Sequence, residues 1–428
     1  MKNKVKGTYD ILPNEINKWQ YLESKIDDIT KKYHYEEIRT PVFEYSEVFH
    51  REGDFSDMVT KETYNFKDKG GRDITLRPEG TAGIVRSFVE NKMYANNDLT
   101  KLYYISNMYR YERPQKGRYR EFRQFGLEAI GAKSPLLDAE VIKMASEFIE
   151  SLGLKEVSVL INSIGDSKSR EAYQKALVKY LTPYLDELSD DSKRRINNNP
   201  LRILDSKDLG DQKIVENAPK PVDYLSVESK NYLDSVLNYL NVFGVKYELT
   251  DKLVRGLDYY SEVVFEIKSN IKDFGAQNIL GGGGRYDQLV SDLGGPETSA
   301  VGIAFGMERL LLALEAEELI PEDSKSLDAF IITFNKDGDE YAAKVLNLLR
   351  DASFLVDLDF EGRSFKSKLR KALNKNSKTL IIIGDEEIKT NSVSLKNTKT
   401  EVQTTVKIEN LIEKLAGELK WEVIIIMN

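Results

Sequence analysis

Cysteine is absent from the 428 residues, which excludes disulfides, thiolate-bound zinc and a cysteine nucleophile. Histidine is scarce. His34 and His50 are the only two, and neither falls in a motif described below, so a histidine-based catalytic scheme has little to rest on. No apolar run reaches membrane-spanning length, and the lysine-rich opening Met-Lys-Asn-Lys-Val-Lys-Gly lacks the apolar stretch of a signal peptide. Net positive charge is missing as well: 62 Lys and Arg stand against 70 Asp and Glu, a formal charge of -8. Any contact with nucleic acid must therefore come from local patches. Together these absences lead us to expect a cytoplasmic protein with no membrane partner. With 41% apolar and 31% charged residues, the chain is long enough for two or three domains with real cores.

What the chain does have is one dense basic stretch, Arg110-Tyr-Glu-Arg-Pro-Gln-Lys-Gly-Arg-Tyr-Arg-Glu-Phe-Arg-Gln-Phe-Gly-Leu-Glu128. It reads as two strands joined by a loop, with Pro114 and Gly117 making the turn. Strand alternation puts Phe122, Gln124, Gly126, Glu128 and Ile130 on one face and Phe125, Leu127 and Ala129 on the other. Apolar residues on both faces predict a strand covered on both sides. Gln124 and Glu128 would then lie in a covered site, where an amide and a carboxylate need partners. At the loop end of this hairpin, Arg110, Arg113, Lys116, Arg118, Arg120 and Arg123 oppose only Glu112 and Glu121. Such a cluster is either a solvated charged hairpin or a phosphate clamp, and composition alone leaves both open.

Around this stretch the chain alternates helices and strands. Ile16, Trp19, Leu22, Ile26, Ile29 and Tyr33 recur at helical spacing, in a helix expected to open near Pro13, and a strand over 36–40 follows. Residues 64–68 and 73–76 read as a hairpin ending in Arg77-Pro-Glu-Gly-Thr81, from which a helix starts. Glu79 and Thr81 are residue types that also suit a helix's first turn. Residues from about 167 to 248 are polar and helix-rich, an inserted module in which 190–200 reads as an exposed link. Leu253-Val-Arg-Gly-Leu-Asp-Tyr-Tyr260 opens a further strand with Val263, Phe265 and Ile267 on one face. Leu280-Gly-Gly-Gly-Gly-Arg-Tyr-Asp287 lacks the P-loop and Rossmann patterns and fits close backbone packing around a pocket. Ala300 to Arg309 reads as a strand running into a helix.

Three of these segments carry a family resemblance. The basic stretch resembles motif 2 of the class II aminoacyl-tRNA synthetases, and its wording resembles the histidyl-tRNA synthetases in particular. Residues 253–260 resemble an element peculiar to the histidyl enzymes, and 300–309 resembles class II motif 3. The helix, strand and Pro41 near the start look like motif 1. The resemblance implies an α+β fold in which an antiparallel sheet is flanked by helices. A catalytic domain would span 1–322, with its helical insertion at about 167–248, and a C-terminal α/β anticodon-binding domain would span 326–428. It further implies a homodimer that uses ATP with Mg²⁺, L-histidine and the histidine tRNA. Site residues carry over onto matching positions. Glu79, Gly80, Thr81, Arg110, Gln124, Glu128, Arg255, Tyr259, Tyr260 and Tyr286 would hold histidine, and Arg110, Arg118 and Arg309 would hold ATP. Arg110 and Arg255 would be catalytic, while Gln115, Lys116 and Arg118 would meet tRNA. No residue is assigned to a resident metal. Arg123 departs from the family, which often has histidine there, as do Gly281 and Gly282, where other small residues are usual.

Past a linker at 319–326, strands and helices alternate over 329–384 in βαβαβ order, the pattern of a small, largely parallel sheet. Between Gly362 and Lys378 lie seven basic residues and no acidic one. Phe365, Leu369, Ala372 and Leu373 would hold this helix on the core and leave its cations in solvent. By resemblance to class IIa anticodon-binding domains, Lys368, Lys371 and Lys375 would contact tRNA. The ending Trp421-Glu-Val-Ile-Ile-Ile-Met-Asn is unusually apolar for a tail.

Overall fold

A computed structural model describes residues 2–51, 56–96, 99–253, 259–272, 274, 278–321, 326–334 and 338–426. Two compact units divide the chain, Met1–Pro321 and Glu322–Asn428.

In the first unit, α1 (Ile16–Lys32) leads to β1 (Glu36–Glu37) and β2 (Phe43–Tyr45), then α2 (Asp57–Lys61) and the hairpin β3 (Tyr64–Lys67) and β4 (Asp73–Leu76). After α3 (Thr81–Glu90) come the two long strands β5 (Thr100–Tyr109) and β6 (Glu121–Ile130), with the basic loop between them. Next are α4 (Pro135–Ser151), β7 (Val157–Gly165), α5 (Ser167–Leu181), α6 (Asp190–Asn198), α7 (Leu209–Val215), α8 (Val227–Val242) and β8 (Glu248–Leu249). The unit closes with β9 (Ser261–Ser269), β10 (Ile279–Tyr286), α9 (Leu289–Asp292), β11 (Ala300–Gly306) and α10 (Met307–Ala316). The first helix starts three residues after Pro13, and the strand expected over 36–40 is confined to two residues.

Among the described residues one eight-stranded sheet dominates, in the order β1-β5-β6-β11-β10-β9-β7-β8, antiparallel throughout except for the parallel edge pairs β1–β5 and β7–β8. The alternation expected for β6 holds on both faces. Phe125, Leu127 and Ala129 enter a core shared with α1, α4, α8 and α10, while Ile130 joins Tyr104, Tyr286, Ile84 and Phe88 on the other side. Val263, Phe265 and Ile267 of β9 lie in the first of these cores. β10 is an inner strand between β9 and β11, and the run of four glycines lets the backbones come close. A Cβ on Gly283 would sit 2.0 Å from the Gly302 carbonyl oxygen.

The inserted segment does not share one core. Tyr173, Leu177, Leu181, Ile196, Leu201, Ile203 and Val215 form a separate cluster, whereas Leu233, Val236 and Leu240 of α8 pack into the main core. Nor are residues 190–200 an exposed link: Asp190–Asn198 is helix α6. Ser189 caps it by accepting from the Ser192 amide, and Ile196 anchors it. The hydroxyls of Ser189, Ser192 and Ser206 converge on the carboxylate of Asp211, at 2.7, 2.6 and 2.6 Å, and tie α6 to α7.

The second unit contains β12 (Ala329–Thr333), α11 (Asp339–Asp351), β13 (Val356–Leu358), α12 (Phe365–Asn374), β14 (Thr379–Ile383), α13 (Asp385–Lys389), β15 (Ser392–Asn397), β16 (Gln403–Lys407) and α14 (Leu411–Ile426). Its sheet runs β13-β12-β14-β15-β16. The first three strands are parallel, as the βαβαβ pattern requires, and β15 and β16 add an antiparallel hairpin. Residues 421–426 of the apolar ending belong to α14, which starts in the core with Leu411 and Leu415.

Candidate active site

β6 and its neighbours carry two adjoining sites. Glu128, on β6, is 1% exposed. Its Oε1 accepts a hydrogen bond from the Thr81 hydroxyl at 2.7 Å, and its Oε2 accepts one from the Tyr286 hydroxyl at 2.6 Å. Burial pushes this carboxyl up to about 8, against both hydrogen bonds, and nearby Glu79 adds to the rise. Glu128 pairs across the sheet with Gly302, where a Cβ would fall 1.9 Å from Oε2. Only glycine leaves room for the acid there. Glu79 is buried at the start of α3 and accepts from the backbone amides of Thr81 and Ala82 at 2.6 and 2.9 Å. Burial raises its pKa, opposed by those amides and by the charges of Arg51 and Arg110. It thus caps the helix and also presents an acid to the pocket.

Aromatic rings enclose this acidic space. The Tyr104 ring occupies the room that side chains on Gly80 and Gly126 would need, each Cβ lying 2.3 Å from its Cζ. Tyr259 sits 4.9 Å from Tyr260 and 5.6 Å from Tyr286 between ring centroids, and the Arg51 guanidinium lies 5.7 Å from the Tyr259 centroid. The side-chain carbonyl oxygen of Gln124 is buried with no hydrogen-bond partner among the described residues. A buried acceptor of that kind fits an incoming N–H donor.

Beyond Gln124 the chemistry changes sign. Arg110, Arg118 and Arg309 line a cavity of about 320 Å³ walled by β10 and the end of β11. Arg110 donates to the Pro78 carbonyl at 2.8 Å, with its guanidinium 5.2 Å from the Phe122 centroid. Arg309, the third residue of α10, donates to the carbonyls of Gly117 at 3.2 Å and Ile279 at 2.8 Å. Arg118 pairs with Glu112 and with Glu62. Burial, followed by the charges of Arg110 and Arg118, draws the Arg309 guanidinium down to about 10. Cations crowded until they perturb one another favour a polyanionic ligand. An acidic, aromatic-walled cluster and an arginine-lined cavity on the same face of one strand suit an ammonium-bearing molecule joined to a phosphate.

The comparisons with known proteins agree. The family model for histidyl-tRNA synthetase matches residues 7–310, and that for the anticodon binding domain matches 328–418. The chain belongs to the histidyl-tRNA synthetase family. It is similar to the histidine–tRNA ligase of Acholeplasma laidlawii, 55% identical over 412 residues, 96% of this chain and 98% of that one. It is similar also to that of Bacillus subtilis, 44% identical over 420 residues, 98% of this chain and 99% of that one. The crystal structure of apo Staphylococcus aureus histidyl-tRNA synthetase superposes with a TM-score of 0.83 at 41% identity, covering 97% of this chain and all of that one. The fold expected from the family motifs is therefore present: a catalytic sheet flanked by helices, and a C-terminal anticodon-binding domain with its own sheet.

Of the residues the family motifs single out, Glu79, Gly80, Thr81, Glu128, Tyr259, Tyr260 and Tyr286 gather in the acidic pocket, with Gln124 between it and the arginine cavity. Arg255 lies outside the described residues. Gln115 and Lys116 sit in the loop, with Gln115 bridged to Arg118. At the departure, Arg123, the guanidinium lies 5.2 Å from the Trp19 ring centroid and donates to the Asn107 side-chain oxygen, apart from Gln124 and Glu128 on the other face of β6.

Lys368 is a correction. It does not face solvent: it is 6% exposed, and its ammonium donates to the carbonyl and hydroxyl of Thr333 at 3.0 and 2.9 Å. Lys371 is half-buried against Asp359 at 3.0 Å, and Lys375 is ion-paired with Asp357. The exposed cations on this helix without an ion pair among the described residues are Lys366 and Arg370. Sequence reasoning also missed Arg51 and Tyr104, which have no motif of their own and reach the site only through the fold.

Proposed function

We infer that the protein is a histidine–tRNA ligase of the cytoplasm. It joins L-histidine to ATP as histidyl-adenylate with release of pyrophosphate, then passes the histidyl group to the 3′ end of its tRNA. The carrying observation is that one face of β6 bears both Glu128, held by Thr81 and Tyr286, and Gln124, which lines the cavity of Arg110, Arg118 and Arg309. Glu128 and Tyr260 address the imidazole, with Tyr259 and Tyr286 closing the pocket. Glu79, Thr81 and Gln124 take the ammonium end, and the unpartnered Gln124 oxygen supports that role. Arg110 spans the amino-acid carboxylate and the α-phosphate, and Arg118 and Arg309 take the outer phosphates. Arg255 carries the charge that builds at the α-phosphorus during in-line displacement. Mg²⁺ on the nucleotide would neutralise phosphate charge, and Glu266 and Glu308 in the cavity lining offer the oxygen donors it prefers. For the transfer step, a phosphate oxygen of the adenylate takes the proton of the tRNA hydroxyl.

ATP–pyrophosphate exchange measured with each amino acid in turn tests this reading. Exchange driven by histidine alone is expected. Exchange with another amino acid, or with none, as for the non-catalytic regulatory relatives of a phosphoribosyltransferase, would overturn it.

The protein also acts as a homodimer in this reading. The small sheet β2-β4-β3 leaves Phe43, Tyr45 and Phe66 exposed around a surface hollow of about 340 Å³, and a second copy would cover such a patch. Sedimentation should give a dimer for the wild type and monomers for Phe43→Asp combined with Phe66→Asp. A dimer persisting in that variant would place the interface elsewhere.

The loop residues Gln115, Lys116 and Arg118 serve the acceptor end of tRNA, and α12 serves its anticodon side through Lys366, Arg370 and Lys375, with Lys371 at the margin. Lys366→Glu with Arg370→Glu should weaken tRNA binding and flatten its dependence on salt, because fewer counterions are released. Histidine-dependent exchange should be unchanged. Equal tRNA affinity and salt slope in a filter-binding titration would remove α12 from the interface.

A further inference from the structure

One arginine of the nucleotide cavity comes from the inserted module. Arg202 lies in the single turn Pro200–Ile203 of the inserted module, and it lines the same cavity as Arg110, Arg118 and Arg309. Its neighbours fix its direction. Leu201 and Ile203 are 4% and 0% exposed in the core of the module, so the side chain between them points out of it. The Arg202 amide also bonds to the Asn199 carbonyl at 3.1 Å, which holds the turn.

The polar inventory of Arg202 is incomplete. Its Nε is buried and has no hydrogen-bond partner among the described residues. Its other contact is with Asp205 at 3.5 Å, a carboxylate whose side chain is 56% exposed and which lines the same cavity. An exposed acid at that distance is a weak counter-ion, readily displaced by a phosphate that offers several oxygens at closer range. A planar guanidinium with an unpartnered donor, on the lining of a cavity that holds three further arginines, is suited to a polyphosphate.

Arg202 and Asp205 also line a second cavity, of about 710 Å³, which is bounded by the module on one side and by Glu62, Arg110 and Arg118 on the other. Arg202 thus lines both spaces, as Arg110 and Arg118 do. We propose that Arg202 is a further arginine of the nucleotide site, which takes the outer phosphates of ATP and so ties the inserted module to the nucleotide. The proposal rests on the arginine cavity being the ATP site, and its test keeps the two apart.

Calorimetric titration of the full-length protein with Mg²⁺–ATP and with AMP, together with histidine KM in pyrophosphate exchange, provides the readout. Arg202→Gln keeps the first two methylenes of the stem and a polar end, and removes the charge and the fork. It should weaken ATP at least fivefold while AMP and histidine stay within twofold. Arg202→Lys should lie between Arg202→Gln and wild type, because the charge returns without the fork. Loss of ATP affinity smaller than fivefold, or an equal loss for AMP, overturns the proposal: the first means no contact, the second a contact with the adenosine end or a misplaced module. Arg309→Gln is run in parallel. If it too leaves ATP unmoved, the arginine cavity is not the nucleotide site. If it weakens ATP while Arg202→Gln does not, only the role of Arg202 fails.

Discussion

Replacing Arg309 by alanine is expected to lower histidine-dependent adenylate formation by about 10²–10³, the scale for losing one preorganised charge facing a transition state. The guanidinium is held by two carbonyl acceptors, Gly117 and Ile279, and therefore pays no reorganisation cost when the phosphates arrive. Its pKa, drawn down to about 10 by burial and by Arg110 and Arg118, means that its charge is held at some expense in the protein alone. Truncation relieves that repulsion while removing two hydrogen bonds. The melting temperature without nucleotide should consequently change little, whereas the rise in melting temperature that ATP produces should shrink. An arginine with a purely structural role predicts the reverse, a lowered melting temperature and a near-normal single-turnover rate per folded molecule. Arg309→Lys should recover only part of the rate, because a point charge cannot serve two carbonyls and a phosphate in one plane.

That two such sites adjoin was largely legible in the sequence because both are built on β6 and its immediate partners. Alternation along 121–130 separates the core-facing Phe125, Leu127 and Ala129 from the site-facing Gln124 and Glu128, and the structure keeps that division. Glu79 and Thr81 were legible as a strand-to-helix junction. The hydrogen bond from Thr81 to Glu128, 47 residues away, was not. Periodicity speaks for one element at a time and says nothing of which distant element it meets.

The misreadings have the same origin. Lys368 was counted among the solvent cations because its helical face is basic, but its long stem reaches Thr333, 35 residues upstream, and its ammonium is used there. Residues 190–200 looked like a link because their mean hydropathy is so low. Yet Ser189 and the Asp211 carboxylate supply the helix with what its composition lacks. Arg202 had no sequence signal at all. An arginine in a Pro-Leu-Arg-Ile turn gains meaning only when the module carrying it is seen beside the nucleotide cavity. Each of these is a case of tertiary partners overriding what a local pattern predicts.

Glu128→Ala is the second substitution with a large expected effect, and the acid can be tested in two independent ways. If the Glu128 proton passes to the bound imidazole the two form a buried ion pair, and removing the acid should cost roughly 2–5 kcal/mol in histidine use. That is about 30-fold to several thousand-fold in kcat/KM for histidine at 1.4 kcal/mol per decade, with ATP KM little changed. If kcat and KM for histidine both stay within a few-fold of wild type, Glu128 does not read the imidazole. The second test needs no substrate. Burial raises the Glu128 carboxyl from the usual 4.5 to about 8, so the folded protein holds this proton more tightly than the unfolded chain does. The corresponding stability is fully present below pH 4.5 and is lost as pH rises through about 8. Each unit of that shift is worth about 1.4 kcal/mol, so the loss amounts to a few kcal/mol. Glu128→Gln keeps the shape and cannot ionise. Its melting temperature should therefore gain on that of the wild type as pH is raised from 5 to 8, whatever fixed difference the lost hydrogen bond introduces. Parallel melting curves across that range would mean that Glu128 is already ionised in the folded protein. The acid would then meet the imidazole as a carboxylate, and not as a proton donor.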